Sequence, residues 1–430
     1  MPTTPVVPDT DPREEARGPE HAPATESKPV LLFASYHAYL DHASGAALAT
    51  RDLFEGLAAR GWSCRVVCGP ALDHGDGRDP AQVLAGHRLA YQRERCAPPG
   101  GGRYELFHFV LNGVPVTQYR PDGFDPRRPP TQAQGVPFLD VVSRACRQFR
   151  PDLVLTYGGQ PVEPHLIARV RRRGAKVLFC LHNLDYRDPA LLRAADAVWV
   201  PSGFARDAYR ERLGVEAEAV PWPWDRTRAV SAGSTGEFVT FVNPVPAKGA
   251  AWVARIAAEL SRRRPEIPFL VVESRGRAGG LNHLGFDLSG VHNLSGMHST
   301  PRPAEFYARS RALLVPSLCE ETFGRVAAEG LANGLPVLAT RRGALPETLG
   351  GAGLLFDVPE RYTAPERFAA VPTGDEVRGW VAAIERLWDD PAFRAGHRAA
   401  ALDRARAWEP ERVLPVAEAF LCRTAAGRHR

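Results

Sequence analysis

Short apolar runs and longer amphipathic stretches alternate along the chain, and the alternation is clearest between positions 312 and 339. An apolar run at 312–315 predicts a fully buried strand, because a strand covered on both faces has no polar side. The next stretch keeps small and apolar residues on one side and predicts a helix over 323–333 that lies close to a sheet. Thr322 is expected to cap this helix, and Asn333-Gly334 ends it before another buried strand at 336–339. The stretch therefore predicts one strand–helix–strand unit.

The same alternation predicts a strand–helix order along most of the chain. Strands are predicted at 30–35, 63–67, 153–157, 176–181 and 196–200, and then at 238–242 and 269–273. Helices are predicted at 46–60, 137–149, 161–173, 204–213, 250–264, 303–310, 375–389, 392–408 and 411–423. Strands that alternate with helices favour parallel sheets covered on both faces. We therefore predict an α/β protein built from two Rossmann-like domains.

Several segments lack the alternating pattern. Residues 1–27 are rich in Pro, Thr, Glu and Ala and are predicted to be disordered, so the D-x-D triplet at 9–11 is discounted as a metal site. Residues 70–135 are predicted to be irregular apart from a strand within 106–116. The acidic run at 73–79 is interpreted as a surface loop, because it lacks the closing Glu of a calcium loop. Residues 294–298 are predicted to form a loop.

The length of 430 residues predicts more than one domain, because single cores stop growing near 250–300 residues. Proline-rich residues 221–225 and the Ser/Gly/Thr run at 231–236 are typical of a linker. We therefore predict one domain over 28–224 and a second over 225–408.

The composition is that of an ordinary soluble globular protein, with 44% hydrophobic and 24% charged residues. The net charge of +5 is too small to indicate nucleic-acid binding, although it permits weak attraction to an anionic membrane surface. No apolar run approaches the 18 residues of a membrane span. The seven cysteines are scattered and include no zinc-like spacing, which favours a reducing cytoplasm, with no bound metal and no cofactor. Cys64 and Cys68 share one face of a strand and are predicted core residues.

Two carboxylates, Glu321 and Glu329, bracket the predicted helix start. They are eight residues apart, which is about 12 Å along a helix at about 1.5 Å per residue. Paired glycosidase carboxylates are separated by about 5–9.5 Å, so these two are too far apart to act on one bond. They are well placed to hold two parts of one long ligand, with an anion at the helix N-terminus between them. A nucleotide sugar has this layout, since its diphosphate lies between two hydroxylated rings.

The motif Glu321-x7-Glu329, with Phe323-Gly324 after the first Glu and Gly-Leu-Pro-Val at 334–337, resembles the donor site of family 4 retaining glycosyltransferases. The resemblance implies the GT-B fold, in which two Rossmann-like domains face each other across a cleft. It also implies that Glu321 contacts the transferred sugar and Glu329 the nucleotide ribose, with Thr322, Phe323 and Gly324 beside the donor. In proteins of this fold the last helix, here within 409–430, returns to the first domain.

The resemblance extends to Lys248, one of only three lysines in the chain. A strand followed by Lys-Gly at the start of a helix is where the family has its diphosphate-binding lysine. An ammonium there offsets the charge of the departing diphosphate, as a metal does in other enzymes. Many members carry an Arg five residues earlier, where this chain has Asn243. Either Arg275 or Arg277 is a candidate replacement, and His298 is a further candidate donor contact.

In the first domain the resemblance assigns roles to Gly45 and His182. Gly45 is predicted to begin a turn and to let the first loop approach the donor phosphates and the acceptor. His182 follows a predicted buried strand, where ligands bind in open α/β sheets. The resemblance implies that His182 contacts the sugar near the reacting carbon.

The expected function is a retaining, metal-independent hexosyltransferase that uses a UDP- or GDP-sugar and an unidentified acceptor. One alternative is a GT-B sugar-nucleotide epimerase or hydrolase, which would share the donor site but need no acceptor pocket. Another is a catalytically inactive nucleotide-sugar-binding protein, for which Asn243 is the one supporting feature. A dehydrogenase is not indicated, because no glycine fingerprint follows the first strand.

Overall fold

A computed structural model of the chain describes residues 28–72, 78–98, 102–125, 128–283 and 290–427. These residues form two sheets covered by helices, the first mostly parallel with antiparallel strands at one edge and the second all parallel, which confirms the predicted α/β architecture. The tail at 1–27 and residues 73–77 of the acidic loop lie outside the described residues, and the predictions made for them stay predictions.

The first sheet contains, within the described residues, nine strands in the order β3-β4-β5-β2-β1-β6-β7-β8-β9. They are β1 (Leu31–His37), β2 (Cys64–Ala71), β3 (Gln92–Cys96), β4 (Tyr104–Leu111), β5 (Val114–Pro121), β6 (Leu153–Thr156), β7 (Lys176–Cys180), β8 (Ala197–Val200) and β9 (Glu218–Ala219). The helices are α1 (Gly45–Ala59), α2 (Pro80–Gly86), α3 (Gln132–Phe149), α4 (Glu163–Arg171), α5 (Pro189–Arg193) and α6 (Gly203–Leu213). We call this part of the chain the N-terminal half.

The segment 70–135 is more regular than predicted, although the strand expected within 106–116 is confirmed as β4. Helix α2 and three strands occupy it, and β3, β4 and β5 pair antiparallel at the edge of the sheet. Strands β4 and β5 form a hairpin around Asn112 and Gly113, which have φ values of 47° and 82°. A two-residue turn with positive φ at both positions favours Asn-Gly, so this dipeptide was a usable hairpin signal.

The second sheet is built, in the part of the chain that the structure describes, from six parallel strands in the order β12-β11-β10-β13-β14-β15. They are β10 (Phe238–Val242), β11 (Phe269–Val272), β12 (Leu294–Met297), β13 (Ser310–Val315), β14 (Val337–Thr340) and β15 (Leu354–Phe356). The helices are α7 (Arg226–Ala229), α8 (Ala250–Arg263), α9 (Ala304–Tyr307), α10 (Arg325–Ala332), α11 (Leu345–Leu349), α12 (Gly374–Asp389), α13 (Pro391–Ala405) and α14 (Pro410–Ala425). Apart from α14, this part is the C-terminal half.

The predicted loop at 294–298 is instead the edge strand β12, which pairs with β11. The predicted strand–helix–strand unit is confirmed as β13, α10 and β14. Its helix lies against the sheet as predicted, because a Cβ on Gly330 would come within 2.4 Å of Leu313 Cδ2. A larger residue at 330 would therefore push the helix away from the strand.

The last helix, α14, packs against the N-terminal half. Leu414, Phe420 and Leu421 are buried in the same core as residues of β1 and α1. Trp62 donates a hydrogen bond from Nε1 to Glu418 at 2.9 Å. The segment that joins the halves is also ordered at its start, where Trp222 stacks on Trp199 with ring centroids 4.0 Å apart. The chain therefore crosses between the halves twice.

Among the described helices, none combines the length and apolar character that crossing a membrane would require. The seven cysteines are free thiols. Cys64 and Cys68 are buried in the core of the N-terminal half, as their spacing predicted.

Candidate functional site

A cavity of about 830 Å³ lies between the two halves, at the carboxyl ends of the strands of both sheets. Ligands of open α/β sheets bind at this end of the strands. From the N-terminal half it is lined by the first loop and the start of α1, and by residues that follow β7 and β8. From the C-terminal half it is lined by residues that follow β10, β11 and β13, and by the first turns of α10. The residues predicted to bind the donor that line it are Gly45, His182, Asn243, Lys248, Arg275, Glu321, Thr322, Phe323, Gly324 and Glu329.

Lys248 and Glu321 are brought together by close contact between two loops. Gly249 has φ 84°, and a Cβ there would lie 2.1 Å from the carbonyl oxygen of Pro316, so only glycine fits. The loops are joined by a hydrogen bond from the Leu318 N–H to the Ala247 carbonyl at 2.9 Å. This arrangement lets Lys248 Nζ donate to Glu321 Oε1 at 2.5 Å.

The Lys248–Glu321 pair is mostly buried, with 23% and 15% of the two side chains exposed. Ser317 also donates to Glu321 Oε1, at 2.6 Å. Burial is the largest influence and acts to lower the pKa of Lys248 and to raise the pKa of Glu321, but the partner's opposite charge, the hydrogen bonds of the pair and neighbouring charges together outweigh it. The lysine pKa is therefore raised and the glutamate pKa lowered, so both groups are charged at neutral pH.

The prediction that Thr322 caps α10 is wrong. The helix begins at Arg325 after Gly324, and no side chain caps it. Thr322 instead donates its hydroxyl hydrogen bond to the carbonyl of His182, at 2.7 Å across the cleft. Ser202, the N-cap of α6, donates to the Thr322 carbonyl at 2.6 Å. Two hydrogen bonds to the N-terminal half thus decide the conformation of Thr322.

Two acidic side chains of the C-terminal half also bind residues of the N-terminal half across the cleft. Glu347 accepts hydrogen bonds from the backbone N–H groups of Gly203 and Phe204, at 2.9 and 3.0 Å, and so caps α6 of the other half. Glu320 pairs with Arg212 at 2.7 Å. The loop before α10 is therefore attached to the N-terminal half at several points.

Glu329 lies in the first turns of α10 and is 4% exposed. Tyr307 donates its hydroxyl hydrogen bond to Glu329 Oε2 at 3.0 Å, and Arg325 Nε donates to Oε1 at 2.7 Å. Arg325 also pairs with Asp52 of α1, at 2.8 Å. Sequence reasoning missed Tyr307, Arg325 and Asp52, because their contacts join positions far apart in the chain.

His182 follows β7 and lies between two aromatic rings, Tyr157 and Trp222. Its Nε2 is shielded from solvent and has no hydrogen-bond partner within the described residues. Burial lowers the pKa of His182 to about 3. The ring is therefore neutral at physiological pH and can offer or accept one hydrogen bond at Nε2.

Gly45 does not begin a turn, as was predicted, but is the first residue of α1. Ser44 caps the helix by accepting a hydrogen bond from the Ala47 N–H at 3.4 Å. Beyond its chain neighbours and the backbone of its own helix, no atom lies within 4 Å of the position that a Cβ on Gly45 would occupy. The residue therefore faces open space at the edge of the cavity.

Of the two candidate arginines that follow β11, only one lines the cavity. Arg275 lines the cavity, whereas Arg277 is drawn toward Glu273 at 3.8 Å and does not line it. Asn243 adopts φ 65°, and its Oδ1 accepts a hydrogen bond from the Gly276 N–H at 3.3 Å, so it shapes the loop that carries Arg275. His298 is exposed, bonds to Glu273 at 2.8 Å and lies outside the cavity lining. The hydrogen bond to His298 lowers the pKa of Glu273.

The predicted linker contributes more to the cavity than its composition indicated. Trp222 and Trp224 are both buried and both line it. Within the described part of the chain, no group of three or more His, Cys, Asp or Glu side chains is arranged to hold a metal ion.

Two family models match the chain in order. Residues 44–221 match the glycosyl transferase 4-like domain, and residues 236–390 match glycosyl transferases group 1. A D-inositol 3-phosphate glycosyltransferase of Arthrobacter sp. (strain FB24) is 32% identical over 167 residues. That alignment covers 36% of this chain and 35% of the relative, so the chain spans about a third of the length of the relative it matches.

Solved structures resemble almost the whole chain. Sucrose-phosphate synthase from Thermosynechococcus elongatus aligns with a TM-score of 0.64 and 18% identity, over 92% of this chain and 99% of that one. HepE from Anabaena, solved in complex with UDP-glucose, aligns with a TM-score of 0.62 and 15% identity, again over 92% and 99%. At these identities the likeness shows the shared fold, which confirms the predicted GT-B architecture.

Proposed function

Because the chain belongs to the group 1 glycosyltransferases of the family 4 type, we propose that it transfers a sugar from a nucleotide-diphosphate sugar to an acceptor. The observation that carries this proposal is the Lys248–Glu321 pair, which lies in the cavity beside the start of α10 and in the same pocket as Glu329 and His182. Together these residues provide a cation for a diphosphate and carboxylates for hydroxyl groups on either side of it.

The donor would lie along the C-terminal half. Glu329 would accept hydrogen bonds from the ribose hydroxyls, because a carboxylate has about four lone-pair sites and Tyr307 and Arg325 occupy two of them. The diphosphate would lie near Lys248 and the free N–H groups at the start of α10. Arg275 would supply a second positive charge in place of an arginine at position 243.

Lys248 would act on the leaving group. In the transfer step the bond between the anomeric carbon and the diphosphate oxygen breaks, and its electron pair stays with the nucleoside diphosphate. A new bond forms to the acceptor oxygen, whose proton passes to an oxygen of the departing diphosphate. A fixed ammonium beside the departing oxygen stabilises the negative charge as it develops, and the Lys248–Glu321 pair is itself mostly shielded from water. We propose on this basis that the reaction needs no metal ion.

Glu321 would hold hydroxyl groups of the transferred hexose, and neutral His182 would contact the sugar from the other half. The acceptor would approach from the N-terminal half, past Gly45 and the first turn of α1. We propose retention of the anomeric configuration, in keeping with the family, and assign no side chain as a nucleophile. The Anabaena neighbour was solved with UDP-glucose, which supports a UDP-sugar, and a GDP-sugar is the second choice.

We also propose the domain limits 28–224 and 225–408, with 409–430 returning to the first domain, and a cytoplasmic location supported by seven free thiols. Weak contact with an anionic membrane is a further proposal from the net charge. Neither the epimerase or hydrolase alternative nor the inactive alternative is favoured by an observation in the site.

The proposed function is tested with the purified chain and a panel of UDP-, GDP-, ADP- and dTDP-sugars. A true donor at 100 times its dissociation constant should stabilise the fold by about 2.7 kcal/mol, which a thermal shift detects. The donor found is then incubated with candidate acceptors, and the glycoside and free nucleotide are measured together. Free nucleotide without glycoside would favour hydrolysis, and binding without either product would favour the inactive alternative.

A further inference from the structure

Asp52 of α1 is a buried carboxylate outside the cavity lining. Its side chain is 0% exposed, although it lies at the contact between the two halves. It lies against two guanidinium groups, one from Arg325 at the start of α10 and one from Arg228 of α7. A carboxylate this deeply buried is stable only when positive charge compensates it. Both compensating guanidinium groups belong to the C-terminal half.

Arg325 connects this carboxylate to the nucleotide end of the cavity. Its Nε donates to Glu329 Oε1 at 2.7 Å, and a terminal nitrogen meets Asp52 Oδ2 at 2.8 Å. The planar fork of a guanidinium can hold two carboxylates at fixed positions, which a lysine ammonium on a flexible stem does less well. Arg325 is itself only 17% exposed, so solvent does little to weaken either contact.

Arg228 places a second guanidinium beside Asp52. Two carboxylates, Asp52 and Glu329, face two guanidiniums, Arg228 and Arg325, and Arg228 is tied back to Asp225 at 3.3 Å. The three elements involved are α1 of the N-terminal half and α7 and α10 of the C-terminal half. Separating the halves would leave buried charges without partners.

We propose that Arg325 is a positioning residue for the transfer reaction, acting as a bridge between Glu329 and Asp52. Through this bridge the carboxylate assigned to the ribose and the first helix of the acceptor half keep one fixed relative position. The cavity then presents His182 of one half opposite the Lys248–Glu321 pair of the other. The inference rests on the proposed function, since it assigns the bridge a task within that reaction.

Other contacts also join the two halves, but they do not involve Glu329. The hydrogen bonds of Thr322 and Ser202 attach the loop before α10 to the N-terminal half, and Glu347 of α11 caps α6. The bridge of Arg325, in contrast, touches a side chain that is proposed to hold the donor. A change at Asp52 should therefore affect turnover without removing any group that lines the donor pocket.

The test compares Asp52→Asn and Arg325→Lys with wild type. Asp52→Asn removes the charge at nearly constant shape, and Arg325→Lys keeps a charge but loses the fork. We expect turnover to fall about 10- to 100-fold in each, because small misplacements of reacting groups have effects of this order. For Asp52→Asn we expect the dissociation constant of UDP to change less than about threefold. The double variant should lose no more than the worse single variant, since both changes break one bridge.

Glu55→Gln is the matched control. Glu55 lies one turn further along α1 and pairs with Arg51 at 3.2 Å, within the N-terminal half. Its replacement perturbs the same helix and a similarly buried ion pair, but Glu55 does not line the cavity, so turnover should stay within about twofold of wild type. A loss in Glu55→Gln as large as that in Asp52→Asn would show a general effect of α1 and overturn the bridge.

Small-angle X-ray scattering with UDP present measures the radius of gyration, which reports the distance between the halves independently of turnover. Asp52→Asn should give a larger radius of gyration than wild type and Glu55→Gln the same value. If Asp52→Asn keeps both the wild-type radius and wild-type turnover, the proposal is wrong. If Asp52→Asn does not fold, Arg325→Lys is judged by the same two criteria. Absence of sugar transfer by the wild-type protein would instead count against the proposed function. The radius of gyration alone would then show whether the bridge keeps the two halves together.

Discussion

Lys248 Nζ donates to Glu321 Oε1 over 2.5 Å, so the two side chains neutralise each other inside the cavity. The sequence assigned them to different parts of the donor, the diphosphate and the sugar. Their direct contact means that a change at either residue also changes the free charge of the other. Variants at the two positions must therefore be interpreted as a pair.

Lys248→Ala should lower turnover by more than it weakens donor binding. Removing one fixed electrostatic donor to a developing charge typically costs about 2.7–4 kcal/mol, or about 100- to 1000-fold in rate. Lys248→Arg should restore part of the rate, because charge is kept but the compact ammonium is lost. Steady-state kinetics with the identified donor measure both effects.

Lys176→Arg is the control for this series. Lys176 is half exposed and lies 3.5 Å from Asp196, in the N-terminal half and outside the cavity lining. It should keep wild-type kinetics. Near-normal turnover in Lys248→Ala would remove Lys248 from the site and leave Arg275 as the principal phosphate contact.

Glu321→Gln and Glu329→Gln should fail in different ways. Glu321→Gln removes the charge that balances Lys248, so UDP should bind at least as well as to wild type while turnover collapses. Glu329→Gln weakens the proposed hydrogen bonds to the ribose, and UDP affinity should fall about 10- to 100-fold, as expected for hydrogen bonds to a charged group. Calorimetric titration with UDP measures the difference. Equal losses of UDP affinity would show that the division between sugar and ribose is wrong.

Turnover should survive treatment with EDTA. The proposed stabilisation of the leaving group comes from Lys248, with Arg275 nearby, and neither is removed by a chelator. The measurement is the initial rate before and after chelation and dialysis. Complete loss that Mn²⁺ or Mg²⁺ restores would contradict the metal-independent mechanism.

Glu163 should make the fold less stable as pH rises. This carboxyl at the start of α4 is 0% exposed, and burial raises its pKa to about 8, although nearby backbone N–H groups act in the opposite direction. Between the unfolded pKa near 4.5 and the folded value the native state binds more protons, so stability falls with rising pH. The slope approaches about 1.4 kcal/mol per pH unit.

Glu163→Gln removes this titration. Melting temperatures of the variant and wild type, recorded between pH 5 and 8, should therefore diverge as pH rises, with the variant the more stable at the upper end. Parallel curves would show that Glu163 titrates normally.

Much of the fold was predictable because the strands are short buried runs and the helices between them are amphipathic. The donor motif was predictable for a similar reason, since Glu321, Phe323, Gly324 and Glu329 lie within one strand–helix unit. Local pattern decides local structure when the chain pairs with its immediate neighbours, as β13, α10 and β14 do.

The errors arise where distant contacts override local preference. Thr322 has the chemistry of a helix cap, but the carbonyl of His182 accepts its hydroxyl instead. The hairpin at Asn112-Gly113 was an available local signal that went unused within a segment rich in Gly, Pro and Arg. The pairing of Asp52 with Arg325 has no local signal, because it depends on how the halves face each other.

The return of α14 to the N-terminal half has a consequence for exchanging parts between related enzymes. A chimera joined at a single point near 224 would combine the first domain of one parent with the last helix of another. Leu414, Phe420 and Leu421 would then meet a core that evolved against a different helix. A workable recombinant should instead take residues 409–427 from the same parent as the first domain, with two junctions rather than one. The parent that supplies the segment between the two junctions would then alone determine which donor the chimera prefers.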